Sequence, residues 1–226
     1  MTIEQIPCHT GNYTARRTSA IRYIVIHYVG AVSTARQNGV YFQGADRQAS
    51  AHYFVDETAV VQSVPDTGRA WHCGAASYRH PECRNDNSLG VELCCRQNAD
   101  GTWYFVPETV TRAVQLVRTL MAQYGVEIDH IVRHYDVTGK VCPEPFVRDA
   151  AQWANFKARL TAPETEEEDG NMIRYNTVAE MPAYYRADAQ RLIDSGVLAG
   201  HAPGALDVSE DMLRTLIIVQ RMLDQK

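Results

Sequence analysis

Residues 128–143 read IDHIVRHYDVTGKVCP, in which a short apolar segment leads into a loop that contains His134, Lys140 and Cys142. The first five residues are typical of a buried β-strand. A second apolar run, Ile21–His27, also ends in a histidine. Two imidazoles and a thiolate are a common set of protein ligands for a catalytic zinc ion, with the fourth position left for water. The pattern indicates a metal site suited to hydrolysis of an amide, although spacing alone leaves open whether the two histidines meet.

The rest of the first 162 residues alternates between strand and helix patterns. Ser88–Cys94 is a third apolar run typical of a buried strand, and Ala51–Val55 with Ala59–Val64 predicts a hairpin. Pro107 and Gly125 are suitable boundaries for the longest helical segment. The predicted helices are Thr34–Gly44, Glu108–Tyr124 and Asp149–Leu160. We therefore expect an α/β fold, in which a mixed central β-sheet is flanked by helices.

The net charge of −5 is concentrated in one short segment. Residues 163–170 carry five acids and no base, whereas residues 1–162 carry 16 Lys and Arg against 15 Asp and Glu. This composition predicts an acidic linker at 163–170 between a domain at 1–162 and a tail at 171–226. The absence of a basic surface argues against nucleic acid as a partner.

The tail predicts a small helical C-terminal domain. Pro182–Ser195 places apolar residues on one helical face and is followed by Gly196, and Ser209 is a suitable N-cap for a second helix. So small a unit makes a poor core by itself. We expect it to dock on a partner or to self-associate.

Targeting signals and disulfides are not apparent in the sequence. No apolar run approaches the roughly 18 residues of a transmembrane helix, so membrane insertion is not expected. The first 17 residues lack the apolar core of a signal peptide, which predicts synthesis in the cytoplasm and export by another route. The six cysteines include no CxxC spacing, which favours free thiols.

Five segments match a known family in order: IRYIVIHYVG (21–30), ASAHYFVDETAVVQSVP (49–65), AWHCGA (70–75), NDNSLGVEL (85–93) and RHYDVTGKVCP (133–143). Together they resemble the zinc-dependent N-acetylmuramoyl-L-alanine amidases of the phage-lysozyme-like family, which is related to the animal peptidoglycan recognition proteins. The resemblance implies a Zn²⁺ ion held by His27, His134 and Cys142.

The resemblance also implies roles for four further residues. Glu92 matches a general base, and Lys140 is expected to stabilise the oxyanion that forms during amide hydrolysis. Tyr53 matches a tyrosine that hydrogen-bonds near the metal, and His72 is expected to contact the substrate. Three alternatives remain open: Glu92 as a buried acid paired with an arginine, Tyr53 as a packing residue, and His72 as a donor to a ligand.

The activity implied by the resemblance is cleavage of the amide between N-acetylmuramic acid and L-alanine in peptidoglycan. A phage or prophage endolysin would act on the cell wall after release from the cytoplasm. Two alternatives are a non-catalytic peptidoglycan-binding module of the same fold and a structural zinc site closed by Cys73. In the tail, Ala189–Leu198 resembles S-layer-homology motifs, which implies either wall binding or a homodimer formed through this domain.

Overall fold

A computed structural model of the protein describes residues 1–162, 174–199 and 206–223. The chain divides into two compact units, Met1–Ala162 and Pro163–Lys226, which we describe separately. The segment predicted to be an acidic linker, 163–170, lies outside the described residues. Within the described ranges, each helix is too short or too polar to span a membrane.

The first unit is built on strands of two to ten residues. In chain order they are β1 (Ile3–Gln5), β2 (Tyr13–Thr14), β3 (Tyr23–Val32), β4 (Tyr53–Val55), β5 (Val60–Gln62), β6 (Arg69–Ala70), β7 (Ser88–Gln97), β8 (Trp103–Tyr104) and β9 (Ile131–Arg133).

The helices of this unit connect the strands and pack on them. In chain order they are α1 (Ala35–Phe42), α2 (Pro107–Tyr124), α3 (His134–Thr138), α4 (Glu144–Arg148) and α5 (Ala150–Thr161).

The main sheet has the order β1-β5-β4-β7-β3-β9, and β8 adds to the end of β7. Strands β4, β7, β3 and β9 run parallel, whereas β4 and β5 form the predicted antiparallel hairpin. The sheet is therefore mixed and flanked by helices, which confirms the predicted α/β fold. Its two central strands, β3 and β7, are ten residues long and form the frame on which other elements are placed.

The two faces of the sheet bury different side chains because successive residues of a strand point in opposite directions. On one face, Ile24, Ile26 and Val91 pack with Leu116 of α2 and Phe156 of α5 in the largest core cluster. Fully burying each such side chain stabilises the fold by about 1.5–3 kcal/mol. The opposite face carries α1 and a set of polar side chains described below.

Helix α2 has the boundaries that the sequence predicts. Pro107 occupies its first turn, where a missing N–H costs no hydrogen bond. Gly125 follows it at φ 64°, a left-handed conformation that glycine adopts without strain, and its N–H bonds to the carbonyl of Met121.

Helix α1 forms although it contains Gly39. Thr34 and Gln37 form a reciprocal capping box at its start. A Cβ atom at position 39 would lie 3.0 Å from side-chain atoms of Ile6 and Val61, so glycine lets the helix approach the sheet this closely without displacing them.

The strand predicted at Ile128–Val132 is wrong in its first half. Residues Ile128–His130 form a 3-10 turn closed by a bond from the N–H of His130 to the carbonyl of Glu127, and only Ile131–Arg133 joins the sheet. The side chains of the turn are only partly buried or exposed, so the apolar pattern there does not reflect a sheet environment.

The second unit contains the two predicted helices. Its described elements are β10 (Arg174–Tyr175), α6 (Ala183–Asp194), β11 (Val208–Ser209) and α7 (Glu210–Leu223). Ser209 caps α7 by accepting a hydrogen bond from the N–H of Met212 at 3.1 Å, as predicted. The antiparallel pairing of β10 with β11 was not predicted, because two-residue strands carry no periodic signal.

Candidate active site

Strands β3 and β7 place His27 beside Glu92 on the face opposite the main core. The two residues are register partners in adjacent parallel strands, so their side chains point to the same face. Nδ1 of His27 lies 3.9 Å from Oε1 of Glu92. The apolar run suggested that His27 ends its strand, but β3 continues to Val32.

His134 comes alongside His27 because β9 is short. Arg133, the last residue of β9, pairs with Ile26, and the chain then turns into α3. Asp136 stabilises this turn by accepting hydrogen bonds from the backbone N–H and guanidinium of Arg133 at 2.8–3.0 Å. The N–H of Tyr135 bonds to the carbonyl of Cys142 at 2.8 Å, and this bond holds Cys142 close to His134.

The structure brings His27, His134 and Cys142 together. Their ligand atoms lie within 4.8 Å of one another, and all three residues are buried. Sγ of Cys142 is 3.6 Å from Nδ1 of His27. Nδ1 of His134 is buried and has no hydrogen-bond partner within the described part of the chain. A buried donor set of two imidazoles and a thiol, with an unpartnered nitrogen, fits a zinc ion.

Cys73 does not join this group of ligand atoms in the described residues. It packs instead among Tyr23, Val25 and Cys83. All six cysteines of the chain are buried free thiols. Among the residues that the structure describes, the group offers three protein ligands, and Cys73 does not supply the fourth ligand that a closed structural site needs.

Burial keeps the candidate ligands uncharged in the metal-free protein. Burial, followed by the neighbouring His72 and His134, holds the pKa of His27 well below its ordinary value. Burial and the nearby Lys140 lower the pKa of His134 to about 4. Burial raises the pKa of Cys142 to about 12. Neutral imidazoles are the form that binds a metal, and a divalent cation favours the thiolate over the thiol.

The carboxylate of Glu92 lies beside this group, with a side chain 20% exposed. Its Oε2 is buried and has no hydrogen-bond partner in the residues the structure describes. Burial raises its pKa to about 8, against a smaller lowering effect of Lys140. No arginine of the described chain forms an ion pair with it, so the alternative of a structural acid–arginine pair is not what the fold contains.

Two grooves are lined by residues of the site. One, of about 510 Å³, is lined by Trp71, His72, His134 and Lys140. The other, of about 530 Å³, is more apolar and has Glu92 at its edge with Phe54.

His72 contacts His27 directly. Its Nδ1 lies 3.0 Å from Nε2 of His27, and its Nε2 lies 3.2 Å from Oγ of Ser88. Both ring nitrogens therefore have protein partners. The residue lines a groove, but its nitrogens are engaged in supporting a candidate ligand rather than free for a substrate.

The structure does not bring Tyr53 to the candidate ligands, so its catalytic role stays a prediction. Tyr53 pairs with Val91 on β7, so it points into the core beneath α2, whereas the candidate ligands lie on the opposite face. Its hydroxyl donates to Asp66 at 2.8 Å and accepts from Gln62 at 3.0 Å. The preceding residue, His52, faces the site side, and its ring lies 5.7 Å from that of His72.

Sequence reasoning missed three residues that shape this site. Ser88 and Gly90 lie on β7 at two-residue spacing from Glu92, so all three face the same side. Asn85 accepts hydrogen bonds from the backbone N–H groups of His72 and Cys73. The alternation of β7 is the signal that could have identified the first two.

One face of the mixed sheet and the segment that follows β9 together place two imidazoles, a thiol and a carboxylate side by side, which are the components of a metal-dependent hydrolase. The family model described as N-acetylmuramoyl-L-alanine amidase matches residues 17–145, more than half of the chain. The chain therefore belongs to the N-acetylmuramoyl-L-alanine amidase family.

Curated relatives support this assignment. A probable N-acetylmuramoyl-L-alanine amidase of Bacillus licheniformis is 41% identical over 156 residues, which cover 64% of this chain and 42% of the relative. CwlL of the same organism is 34% identical over 155 residues, which cover 64% of this chain and 42% of that protein. The chain spans less than half the length of these relatives.

Solved structures share the fold. The catalytic domain of XlyA, an amidase of Bacillus subtilis, superposes with a TM-score of 0.57 at 27% identity and covers 71% of this chain and 99% of that domain. PlyL superposes with a TM-score of 0.60 at 24% identity, covering 71% of this chain and 97% of its own, which shows likeness of fold.

Proposed function

We propose that the protein is a zinc-dependent N-acetylmuramoyl-L-alanine amidase that hydrolyses the amide between N-acetylmuramic acid and L-alanine of the peptidoglycan stem. The observation that carries the proposal is the convergence of the ligand atoms of His27, His134 and Cys142 within 4.8 Å. Membership of the amidase family supports the choice of bond. We further propose that it acts as an endolysin of phage type, made in the cytoplasm and active on the wall after release.

His27, His134 and Cys142 would hold the zinc ion. When bound, such an ion lowers the pKa of a water molecule and polarises a carbonyl oxygen. His134 lines the groove that also contains Lys140, which gives a substrate access to the group.

Glu92 is the proposed general base. Oε2 is buried without a partner in the described chain, and Oε1 lies 3.9 Å from a candidate ligand atom, so the carboxylate is in reach of a water beside the group. It would accept a proton from the attacking water and pass it to the departing amine of L-alanine.

Lys140 is the proposed stabiliser of the oxyanion. It shares a groove with His134, and its charge is close enough to lower the pKa of both Glu92 and His134. An ammonium group at this position would favour the tetrahedral intermediate, whose negative charge is absent from the ground-state amide.

Digestion of purified peptidoglycan tests the proposal. The metal-free protein, the same protein with Zn²⁺ restored, and Cys142→Ser are incubated with cell walls, and new N-termini are labelled and identified. We expect new L-alanine N-termini, without new reducing sugar ends, only from the zinc-restored wild type.

A non-catalytic peptidoglycan-binding module of the same fold is the second candidate. It is favoured if the protein binds zinc at one ion per chain and sediments with walls but releases no L-alanine N-termini. The presence of Glu92 and Lys140 beside a complete ligand set favours the enzyme.

The C-terminal unit is proposed to bind wall polymer, with pairing of two chains as the alternative. It has its own core, and it carries exposed apolar side chains at Tyr184, Val197 and Met212. Sedimentation with walls and the mass of the full chain in solution distinguish the two roles: retention on walls by a monomer supports the first, and a dimer that walls do not retain supports the second.

A further inference from the structure

A chain of hydrogen bonds leads away from His27 through groups that the proposed reaction does not use. Nε2 of His27 lies 3.0 Å from Nδ1 of His72, and Nε2 of His72 lies 3.2 Å from Oγ of Ser88. That hydroxyl is 2.7 Å from the backbone carbonyl oxygen of Arg84. The chain therefore connects a candidate metal ligand to a peptide carbonyl through two side chains.

The carbonyl at the end can only accept, and together with a neutral His72 it sets the direction of the bonds in this chain. The single proton of the Ser88 hydroxyl goes to the Arg84 carbonyl, so the hydroxyl accepts the Nε2–H of His72. A neutral imidazole has one N–H, so Nδ1 of His72 accepts the Nε2–H of His27. Nδ1 of His27 is then left with a lone pair, and it is the nitrogen that lies 3.6 Å from Sγ of Cys142.

Packing around His72 holds the ring in the orientation that this chain requires. Its plane is at 87° to the ring of His27. The carboxamide oxygen of Asn85 accepts a hydrogen bond from the backbone N–H of His72 at 3.2 Å. A Cβ atom at Gly90 would lie 2.6 Å from Cγ of His72, so the ring rests against a bare stretch of β7 backbone.

We propose that His72 and Ser88 are positioning residues that hold His27 in its Nε2–H tautomer, so that Nδ1 is ready to bind the metal ion. The inference rests on the proposed metal site, but the tautomer is a property of the metal-free protein. Without these hydrogen bonds, His27 would populate the Nδ1–H form, which cannot bind a metal through that nitrogen. Loss of such supporting contacts typically weakens metal binding by about 10–100-fold.

Two measurements on the full chain test the proposal. Long-range ¹H–¹⁵N correlation spectra of the metal-free protein report which nitrogen of His27 carries the proton, with the resonance assigned by its loss in His27→Gln. Competition with a chelator gives the affinity for Zn²⁺. The variants are Ser88→Ala, His72→Phe, which keeps a planar ring without nitrogens, and His72→Asn, which offers a side-chain oxygen close to the position of Nδ1.

Ser63→Ala is the matched control. Ser63 is also a buried serine, 3% exposed, but it is not part of the chain of hydrogen bonds. Its substitution therefore removes a buried hydroxyl without touching the support of His27.

We expect His27 of the wild type and of Ser63→Ala to carry its proton on Nε2. In Ser88→Ala and His72→Phe, the Nδ1–H tautomer should appear and zinc affinity should fall about 10–100-fold. His72→Asn should retain more affinity than His72→Phe, because it restores an acceptor. Should His72→Phe fail to fold, Ser88→Ala decides the test.

A proton on Nδ1 of His27 in the metal-free wild type would overturn the inference. So would tautomer populations and zinc affinities of Ser88→Ala equal to those of Ser63→Ala. Absence of zinc binding by the wild type would instead overturn the proposed function, and the tautomer measurement would still decide whether His72 and Ser88 orient His27.

Discussion

The substitution Tyr53→Phe tests on which face of the central sheet the Tyr53 side chain lies. By family resemblance Tyr53 is expected near the metal, whereas in the structure it points into the core beneath α2. Its hydroxyl bonds to Asp66 at 2.8 and 2.9 Å and accepts from Gln62 at 3.0 Å. Removal of this hydroxyl should therefore change stability and leave the chemistry intact.

The size of the effect follows from what remains bonded to Asp66. The hydroxyl of Tyr124 still donates to Asp66 at 2.6 Å, and the side-chain amide of Gln62 still donates to it at 3.0 Å, so the carboxylate is not left without partners. The loss is then about one hydrogen bond to a charged group, which lowers the free energy of unfolding by about 1.5–3 kcal/mol. For a unit of this size that corresponds to a fall in Tm of about 3–12 °C.

The wild type and the variants are compared by thermal unfolding and by the release of L-alanine N-termini from walls, both measured on the same preparations. Tyr124→Phe is the matched control, because it removes the other phenol from the same carboxylate. Both variants should unfold at lower temperature and hydrolyse walls at the wild-type rate. A tenfold or greater loss of turnover in Tyr53→Phe alone, with an unchanged Tm, would refute this placement of the tyrosine.

Three further substitutions have distinct expected outcomes. Cys142→Ser removes a thiolate ligand, so zinc content after dialysis should fall; full retention of zinc would contradict the ligand assignment. Lys140→Ala should keep zinc but reduce kcat by about 10²–10³-fold, as for loss of one oxyanion donor, and a wild-type kcat would exclude that role. Asp56 is also informative: burial raises the pKa of its carboxyl, but hydrogen bonds from the backbone of Ala35, Thr58 and Ala59 outweigh this and hold the pKa below its usual value. Its stabilising effect is thus present above the unfolded pKa of about 3.9 and is lost as the pH falls through the folded pKa. Asp56→Asn should lower the free energy of unfolding by about 1–3 kcal/mol at pH 7. Urea unfolding should show a smaller difference in this free energy between wild type and variant at pH 3. An equal difference at pH 7 and pH 3 would contradict the argument.

Local signals predicted those parts of the fold whose boundaries are set by single residues. Helix α2 follows from Pro107 and Gly125, and the cap of α7 follows from Ser209. The turn at Ile128–His130 was assigned to a strand because apolar residues in a short window do not distinguish a strand from a turn that packs one side chain.

The face on which Tyr53 lies could not be read from its own strand. Alternation places His52 and Tyr53 on opposite faces, but which face holds the metal ligands depends on the register of β4 with β7. That register pairs Phe54, not Tyr53, with Glu92. Register between strands that are distant in sequence is a tertiary property.

The residue pattern and the resemblance both indicate the candidate ligands, and the length of a strand explains why they meet. Strand β9 ends beside Ile26, one residue before His27, so the residue after its end falls next to His27. The support of His27 by His72 has no such local signal. It arises because the ring of His72 lies against Gly90, which a sequence pattern does not reveal.

Anomalous diffraction from crystals of the zinc-loaded protein tests the central claim most directly. The account predicts one ion bonded to a nitrogen of His27, a nitrogen of His134 and Sγ of Cys142, at about 2.0–2.1 Å for nitrogen and about 2.3 Å for sulfur, with a non-protein oxygen completing the tetrahedron. An ion that lacks any of these three bonds, or that takes a fourth ligand from the protein, would contradict it.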